Sequence, residues 1–323
     1  MRHLWSGWYD DSQEAILFYR LRKYLSHSRF DRQTSRILET PPLAYKEAPL
    51  TIVSMVQESD IRMYLLAIKS LYRRLGRGKI VAIVLAEFPQ QQRDLIRKHL
   101  GAVEFLHIED LPSGRCQRGG TWERLVFCIN RSAAEYVIQI DCDVLCVGPV
   151  GDVLARVEQN RAFLLAEGIP IQPLSCWPEK GIARKSDNVV TAFEIHGGEF
   201  PDAGKSLYVR GSSGFAGFAR GAATLDELET FHDNGAKVLG ARWTEWGTEQ
   251  IASNFMVANT PGAEPLPYPQ YATFEPAYAT YQKDGIPDDT ALLHFIGAFR
   301  FDMGVYPRLA NREIDAMLKA GKD

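Results

Sequence analysis

Cysteine is scarce in this chain, and its spacing makes no motif. The five residues (Cys116, Cys128, Cys142, Cys146 and Cys176) include no Cys-x-x-Cys pair, which argues against a zinc framework, and their odd number reads as reduced thiols. Nowhere do 18 apolar residues run together, and the opening MRHLWSGWYDDSQEAILFYR lacks an apolar core with a small-residue cleavage site. A cytoplasmic protein is therefore expected. Charge of one sign is also lacking, because 40 acidic residues nearly cancel 37 basic ones for a net charge of -3. No general field exists to condense on DNA or RNA by counterion release, so no nucleic-acid partner is expected. The Gly-x-Gly-x-x-Gly turn of a dinucleotide-binding dehydrogenase is missing, as is a Gly-rich loop after the first strand of the kind a sugar nucleotidylyltransferase carries. There is no internal repeat and no low-complexity tract.

What is present is the material of a large globular body. The 323 residues are 46% apolar and 11% aromatic, and a chain of this length buries roughly three quarters of its unfolded surface without needing a disulfide. Residues 1 to about 48 differ from the rest. Between Phe18 and Arg36, six basic residues (Arg20, Arg22, Lys23, Arg29, Arg32, Arg36) face one acid, Asp31, interleaved with Leu21, Tyr24, Leu25 and Phe30. Two readings stand: a basic helix that touches an anionic membrane surface or a phosphorylated lipid acceptor through residues 18-36, or a solvated helix packed on the main domain. Pro41, Pro42 and Pro49 then break the pattern, giving a domain boundary between an extension at 1-48 and a main domain at 49-323.

From Leu50 onward, strands and helices alternate. LTIVSMV (50–56), KIVAIVLA (79–86), Val103 to Ile108 and YVIQI (136–140) read as buried strands. Ile61, Leu65, Ile68, Leu71 and Leu75 recur at helical spacing, a Pro89-started helix ends at Leu100, and Thr121 to Ala134 is helical. Val- and Ile-rich strands separated by helices imply a mostly parallel sheet covered on both faces, with ligands at the carboxyl ends of the strands. Phe163 to Ala166 reads as a further strand, residues 168 to 210 as loops and short strands, Ala222 to Asp233 and Thr248 to Val257 as helices, Pro261 to Pro276 as loop, and Ala291 to Phe295 as a short strand.

Two groups of residues can do chemistry. Asp141-Cys142-Asp143 follows the apolar strand YVIQI directly. In extended chain residues i and i+2 point the same way, so the two carboxylates can face one hard cation, Mg²⁺ or Mn²⁺, which prefers oxygen ligands and keeps positions open for phosphates. The Asp-x-Asp spacing alone is weak, because about one such pair arises by chance at this Asp content; its place after a buried strand is what counts. Cys142 and Cys146 beside it read as small buried residues. The second group is His294-Phe295-Ile296-Gly297-Ala298-Phe299-Arg300. An imidazole can add a ligand to the same ion, Gly297 permits close backbone approach, and Arg300 can hold phosphate oxygens with paired donors.

Together these pieces resemble a GT-A-type glycosyltransferase, most closely glycosyltransferase family 8, the family of glycogenin and of bacterial lipopolysaccharide galactosyl- and glucosyltransferases. TIVSMVQESDIRMYLLAIKSL is similar to the family's opening strand, Asp-x-x-Tyr and helix ending in Ser-Leu. Thr121-Trp122-Glu123-Arg124-Leu125 resembles its Thr-x-x-Arg-Leu helix, Tyr136 to Leu145 its Asp-x-Asp strand, and His294 to Arg300 its His-x-x-Gly-x-x-Lys element. The likeness covers most of residues 50 to 300 and implies an α/β, Rossmann-like nucleotide-diphospho-sugar transferase fold with helices on both faces of a mostly parallel sheet.

The resemblance also implies roles. Asp143 and His294 would bind Mn²⁺ or Mg²⁺, with Asp141 bridging that metal and the donor's ribose or sugar. Asp60 would lie near the nucleotide base, Arg124 near the donor sugar, and Gly297 and Arg300 near the diphosphate. Glu249-Gln250 takes the place of the family's Asp-Gln, whose glutamine lies beside the anomeric carbon, and Ser212-Ser213-Gly214 resembles the segment lining the sugar pocket. Serine for asparagine at Ser212, glutamate for aspartate at Glu249, arginine for lysine at Arg300 and Phe301-Asp302 in place of Pro-Trp depart from the family. The implied activity is transfer of a sugar from a UDP-sugar to a glycan or lipid-linked acceptor with retention, in cell-surface glycan synthesis. Should an inverting base exist instead, Glu249, Asp187 and Glu194 are the acids to consider. A metal-dependent phosphohydrolase with an aspartate nucleophile and a non-catalytic nucleotide-sugar-binding protein are the alternatives. The first of these expects Thr or Val where Leu145 stands.

Overall fold

The computed structural model describes residues 13–274 and 286–321, with side chains from residue 21 onward apart from residue 298. In chain order the strands and helices are α1 (Gln13–Gln33), β1 (Leu50–Met55), α2 (Ile61–Leu75), β2 (Lys79–Val84), α3 (Gln90–Leu100), β3 (Val103–His107), α4 (Trp122–Ser132), β4 (Tyr136–Ile140) and β5 (Val144–Cys146). There follow α5 (Gly151–Glu158), β6 (Phe163–Leu165), β7 (Gln172–Pro173), α6 (Pro178–Arg184), α7 (Val189–Ile195), β8 (Leu207–Tyr208), β9 (Ser212–Phe218) and α8 (Leu225–Leu239). The described chain closes with α9 (Thr248–Ala258), β10 (Tyr271–Thr273), β11 (Leu292–His294) and α10 (Val305–Ala320).

The main sheet runs β3-β2-β1-β4-β9-β6. β3, β2, β1 and β4 are parallel, whereas β9 runs antiparallel to both β4 and β6. Every residue of β4 and all but the last of β1 are buried, as expected of strands covered by helices on both faces. The chain steps outward from β1 to β3, then returns to place β4 on the other side of β1. That reversal between β1 and β4 is a topological switch point, where strand ends diverge and leave a crevice. A second sheet, β10-β11-β5, carries the chain's end back to the residues after β4. β11 lies antiparallel to β5 with His294 opposite Val144 and Leu292 opposite Cys146.

Helix α2 is buried nearly all round, including Lys69 and Ser70, as a helix sandwiched between layers must be. The Lys69 ammonium lies in the interior, donating to Thr40 Oγ1 at 2.6 Å and the Pro41 carbonyl at 2.8 Å, with His99 Nδ1 at 3.2 Å. Arg74 of α2 makes a two-nitrogen pairing with the buried Glu313 of α10 at 3.0 and 3.2 Å. Phe30 of α1 packs on Tyr306 of α10 with tilted rings whose centroids are 4.5 Å apart, and Tyr306 stacks on Phe295 at 4.2 Å. Phe30 and Ile37 thus join the same buried core as the sheet. Residues 1–12 of the basic extension lie outside the described residues.

The structure departs from the sequence-based expectation in several places. Residues 168 to 210 hold two seven-residue helices, α6 and α7, and not loops and short strands alone; α7 starts at Asn188, whose side chain accepts from the Thr191 N–H at 2.8 Å, a cap that seven residues of weak periodicity hide. The helix expected at Ala222 to Asp233 begins at Leu225, behind a Thr224–Glu227 capping box, and continues to Leu239. The loop expected at Pro261 to Pro276 contains strand β10, which exists because β11 offers it a parallel partner; residues 275 and 276 lie outside the described residues. Pro89 caps α3 from outside and does not begin it.

Burial, with the neighbouring Lys69 charge, depresses the His99 imidazole to about 4. A depressed folded-state pKa means the unfolded chain binds more protons between the two values, so stability is full above about 6.5 and falls as pH drops toward 4. Urea unfolding at pH 7 and at pH 4.5 should show His99→Gln losing on the order of 2 kcal/mol less than the wild type across that interval. An equal loss in both proteins would sink the assignment of the acid sensitivity to His99.

Candidate active site

A cleft of about 720 Å³ opens over the carboxyl ends of the parallel strands. Met55 and Val56 at the end of β1, Val84 and Leu85 at the end of β2, and Asp141 and Asp143 just past β4 all line it, so it occupies the crevice the strand order creates. Asp60, the residue before α2, stands in the same wall, with its Oδ1 3.3 Å from His27 Nε2 of α1. Lys23, Tyr24 and His27 make α1 one side of the opening.

The backbone explains how distant residues meet. β4 ends at Ile140 opposite Phe215 of β9, and the Asp141 N–H donates to the Gly214 carbonyl at 2.8 Å; Ser212, Ser213 and Gly214 therefore lie beside the aspartates. On the other side the Phe295 N–H donates to the Asp143 carbonyl at 2.9 Å, which extends the β5–β11 ladder and sets His294 against Asp143. The Cys142 thiol lies 3.3 Å from the Met55 carbonyl; Asp141 to Val144 form a turn, the Val144 N–H donating to the Asp141 carbonyl at 3.2 Å, and not the extended chain expected of the Asp-x-Asp segment.

Asp141, Asp143 and His294 converge, with one ligand atom from each lying within 4.8 Å of the others. His294 Nε2 is 3.2 Å from Asp143 Oδ1 and 3.7 Å from Asp141 Oδ2. The remaining oxygen of each carboxylate meets an arginine: Asp141 Oδ1 pairs with Arg124, and Asp143 Oδ2 with Arg300. Ser212 Oγ sits 2.9 Å from His294 Nδ1, holding the ring so that Nε2 faces the carboxylates. Two carboxylate oxygens and one imidazole nitrogen aimed at a common point suit Mg²⁺ or Mn²⁺, and the hydrogen-bonded far side of the ring is what metal-ligating histidines have. The residues present thus fit a divalent cation.

Burial alone would raise the Asp143 carboxyl, but His294 and Arg300 outweigh it and hold the group below the ordinary carboxylate range. Burial opposes charge on His294 as well, and there the Asp143 and Asp141 carboxylates prevail and raise the imidazole. Arg124 is almost wholly buried; burial disfavours its charge, yet Asp141 and Glu249 together keep the guanidinium protonated.

Glu249, on the first turn of α9, is buried and not part of a solvated helix face. Its Oε2 accepts from Thr121 Oγ1 at 2.9 Å and Ser213 Oγ at 3.1 Å, and Arg124 Nη2 lies 3.8 Å from Oε1. Burial pushes this carboxyl up, and Arg124 with those hydroxyls offsets the push only in part. Gln250 is half-buried one residue further on and makes no hydrogen bond to the cluster. Gly297 is exposed at the start of the single turn Gly297–Phe299, which brings Arg300 back to Asp143. Asp187 and Glu194 are not brought to the cleft: the first is fully exposed on Arg242, and the second is buried between Arg184 and Arg210, each at 2.9 Å.

Sequence reasoning missed the contribution of α1 to the cleft, the Thr121 hydroxyl on Glu249, and Trp246, which is 83% exposed in the cleft wall. No pattern in the sequence announces them; all three depend on long-range placement. The Asp-x-x-Tyr likeness also needs correction, because Met63 stands three residues after Asp60 and Tyr64 is completely buried.

No protein-family model matches the chain, and no curated protein does. Among solved structures, the glycosyltransferase GlyE of Streptococcus pneumoniae TIGR4 aligns with a TM-score of 0.50 at 14% identity, over 84% of this chain and 62% of that one. The architecture is a GT-A-type fold. Mouse xyloside xylosyltransferase 1 in its apo form aligns at 0.43 and 11% identity over 77% of this chain and 97% of that one. An active-site mutant of LgtC aligns at 0.47 and 11% identity over 81% and 95%. Of these three, GlyE alone bears on the fold.

Gly214 explains itself here, since a Cβ at this position would lie 2.2 Å from His294 Cε1. Gly214→Ala should displace the imidazole and weaken Mn²⁺ binding by roughly tenfold or more, while circular dichroism stays that of the wild type. Titration calorimetry with Mn²⁺ checks this; unchanged affinity would remove His294 from the ligand set.

Proposed function

We propose that the chain is a metal-dependent glycosyltransferase that moves a sugar from a nucleoside-diphosphate sugar, by its family 8 likeness a UDP-sugar, to an acceptor hydroxyl with retention at the anomeric carbon. One observation carries the reading: three convergent ligand atoms flanked by Arg124 and Arg300, in a cleft over the carboxyl ends of a parallel sheet. Such a cleft accommodates a nucleoside over the apolar ends of β1 and β2 with its diphosphate at the charged end.

In this reading Asp143 and His294 would hold Mn²⁺ or Mg²⁺, with Asp141 as the further carboxylate on the donor side of the ion. When bound, the ion supplies positive charge that offsets the charge developing on the departing diphosphate. Arg300 shares Asp143 and offers its remaining N–H donors to phosphate oxygens beside Gly297. Asp60 faces the base. Arg124, Ser212, Ser213 and Gly214 bound the sugar pocket, and buried Glu249 fixes Arg124 and the Ser213 hydroxyl. The bond from the anomeric carbon to the β-phosphate oxygen breaks with its electron pair going to the phosphate. The acceptor oxygen bonds the same face of that carbon, and its proton passes to the leaving phosphate. Gln250 stabilises the flattened, cationic sugar between these events. The exposed indole of Trp246 offers an apolar face for a saccharide ring, which favours a glycan or lipid-linked saccharide as acceptor, as in cell-surface glycan synthesis. An aspartyl phosphohydrolase is disfavoured because Leu145 stands where that class expects Thr or Val, and one oxygen of each carboxylate is paired with an arginine.

A donor-hydrolysis screen across nucleotide sugars, with and without Mn²⁺, tests the class, the cofactor and the donor. Hydrolysis of a UDP-sugar should require the metal, vanish in EDTA and be lost in Asp143→Ala without loss of fold. Arg300→Ala should weaken UDP binding by about tenfold or more. Tight UDP binding with no sugar released from any donor would make the chain a binding protein, and phosphate release from simple monoesters would make it a phosphohydrolase.

A further inference from the structure

The face of α1 turned away from the cleft carries a second feature. Large apolar side chains stand exposed on it: Leu21 at 52% and Leu25 at 57%. The turn before α10 adds Met303, 50% exposed. The two segments are adjacent, because Arg22 of α1 lies 3.9 Å from Asp302. Between them opens a cavity of about 680 Å³, separate from the cleft, floored by Phe30, Phe301 and Pro307 and rimmed by Arg29 and Arg308.

Among the described residues neither Arg29 nor Arg308 has a carboxylate within ion-pair distance. Two guanidiniums from different helices line one cavity without a carboxylate partner, and an anion bound in that cavity would gain charge-assisted hydrogen bonds from both. Asp302 beside the cavity is paired with Arg22, and Arg32 adds a further exposed cation on α1. An apolar strip beside a basic cavity is the pairing that an anionic lipid surface satisfies, with acyl chains meeting Leu21, Leu25 and Met303 and a phosphate meeting the arginines. A soluble anion explains the arginines and leaves the strip exposed; a second protein chain explains the strip and leaves the cations without a charge to match.

We propose that this α1–α10 face docks on an anionic phospholipid bilayer, with a lipid phosphate seated between Arg29 and Arg308. Since the inner side of the same helix lines the cleft, docking sets the cleft mouth beside the bilayer. The inference uses none of the residues assigned to sugar transfer, so it stands or falls apart from that reading.

Flotation of the full chain with phosphatidylcholine vesicles, with and without phosphatidylglycerol, tests it. The protein should float with phosphatidylglycerol vesicles, stay behind with phosphatidylcholine alone, and be released by salt. Each basic residue at such a surface changes partitioning roughly fivefold, so R29A/R308A should lose on the order of thirtyfold, and Leu21→Ser with Leu25→Ser should also lower binding. Circular dichroism and thermal unfolding of the same variants report that the fold is intact. Equal flotation with both vesicle types, or wild-type flotation of either double variant, overturns the proposal. So does inorganic phosphate binding at the arginines with no vesicle binding, which leaves a soluble-anion site, or a dimer that Leu21→Ser/Leu25→Ser dissociates, which assigns the strip to a second copy of the chain.

Discussion

Two carboxylates held side by side in a largely buried place are the constraint around which this molecule is arranged. Asp141 and Asp143 repel each other, and Asp143 is nearly free of solvent contact, so without compensation one of them would take up a proton. The protein brings three cationic or protonatable groups to them from three different elements: Arg124 on α4, His294 on β11 and Arg300 past it. Removing one partner of such a buried pair typically costs about 3–5 kcal/mol. The arginines occupy the outer oxygens and leave the inner ones pointing together, which converts a problem of burial into a place for a doubly charged ion.

The scaffolding follows from that arrangement. The six-stranded sheet sets the aspartates at the end of a strand with no freedom of register, since Ile140 is locked to Phe215 and Val53 to Gln139 on either side. The small sheet exists to return the end of the chain to them, and the aromatic cluster Phe30–Tyr306–Phe295 supports it from below. Gln139 reaches under the site, donating to the Ser213 carbonyl and lying 3.4 Å from Glu249. Second-layer contacts of this kind fix rotamers, and fixed rotamers are what a coordination site needs.

Much of the parallel sheet was legible because its strands are buried on both faces and read as uninterrupted Val and Ile runs, YVIQI above all. The Asp-x-Asp pair was legible from its place directly after such a run, and His294 from its company with Gly297 and Arg300. Less visible were features that only long-range partners create. Strand β10 has three residues and depends on β11; α6 and α7 have seven residues each, too few for periodicity to speak. The burial of Glu249 is invisible from its own helix, because its partners Arg124, Thr121 and Ser213 all lie outside α9. Helix α1 was seen as basic, but that its two sides meet different surroundings cannot be read from charge spacing.

The closure of Arg300 onto Asp143 spans 157 positions of chain. Arg124 precedes its partner Asp141 in the chain, but His294 and Arg300 follow far behind, so a nascent polypeptide holds Asp143 without either of its cationic neighbours until β11 and the turn after it have been made. The Asp141–Asp143–His294 cluster therefore cannot assemble until the chain has been made through residue 294, however early the strands that carry its aspartates have paired.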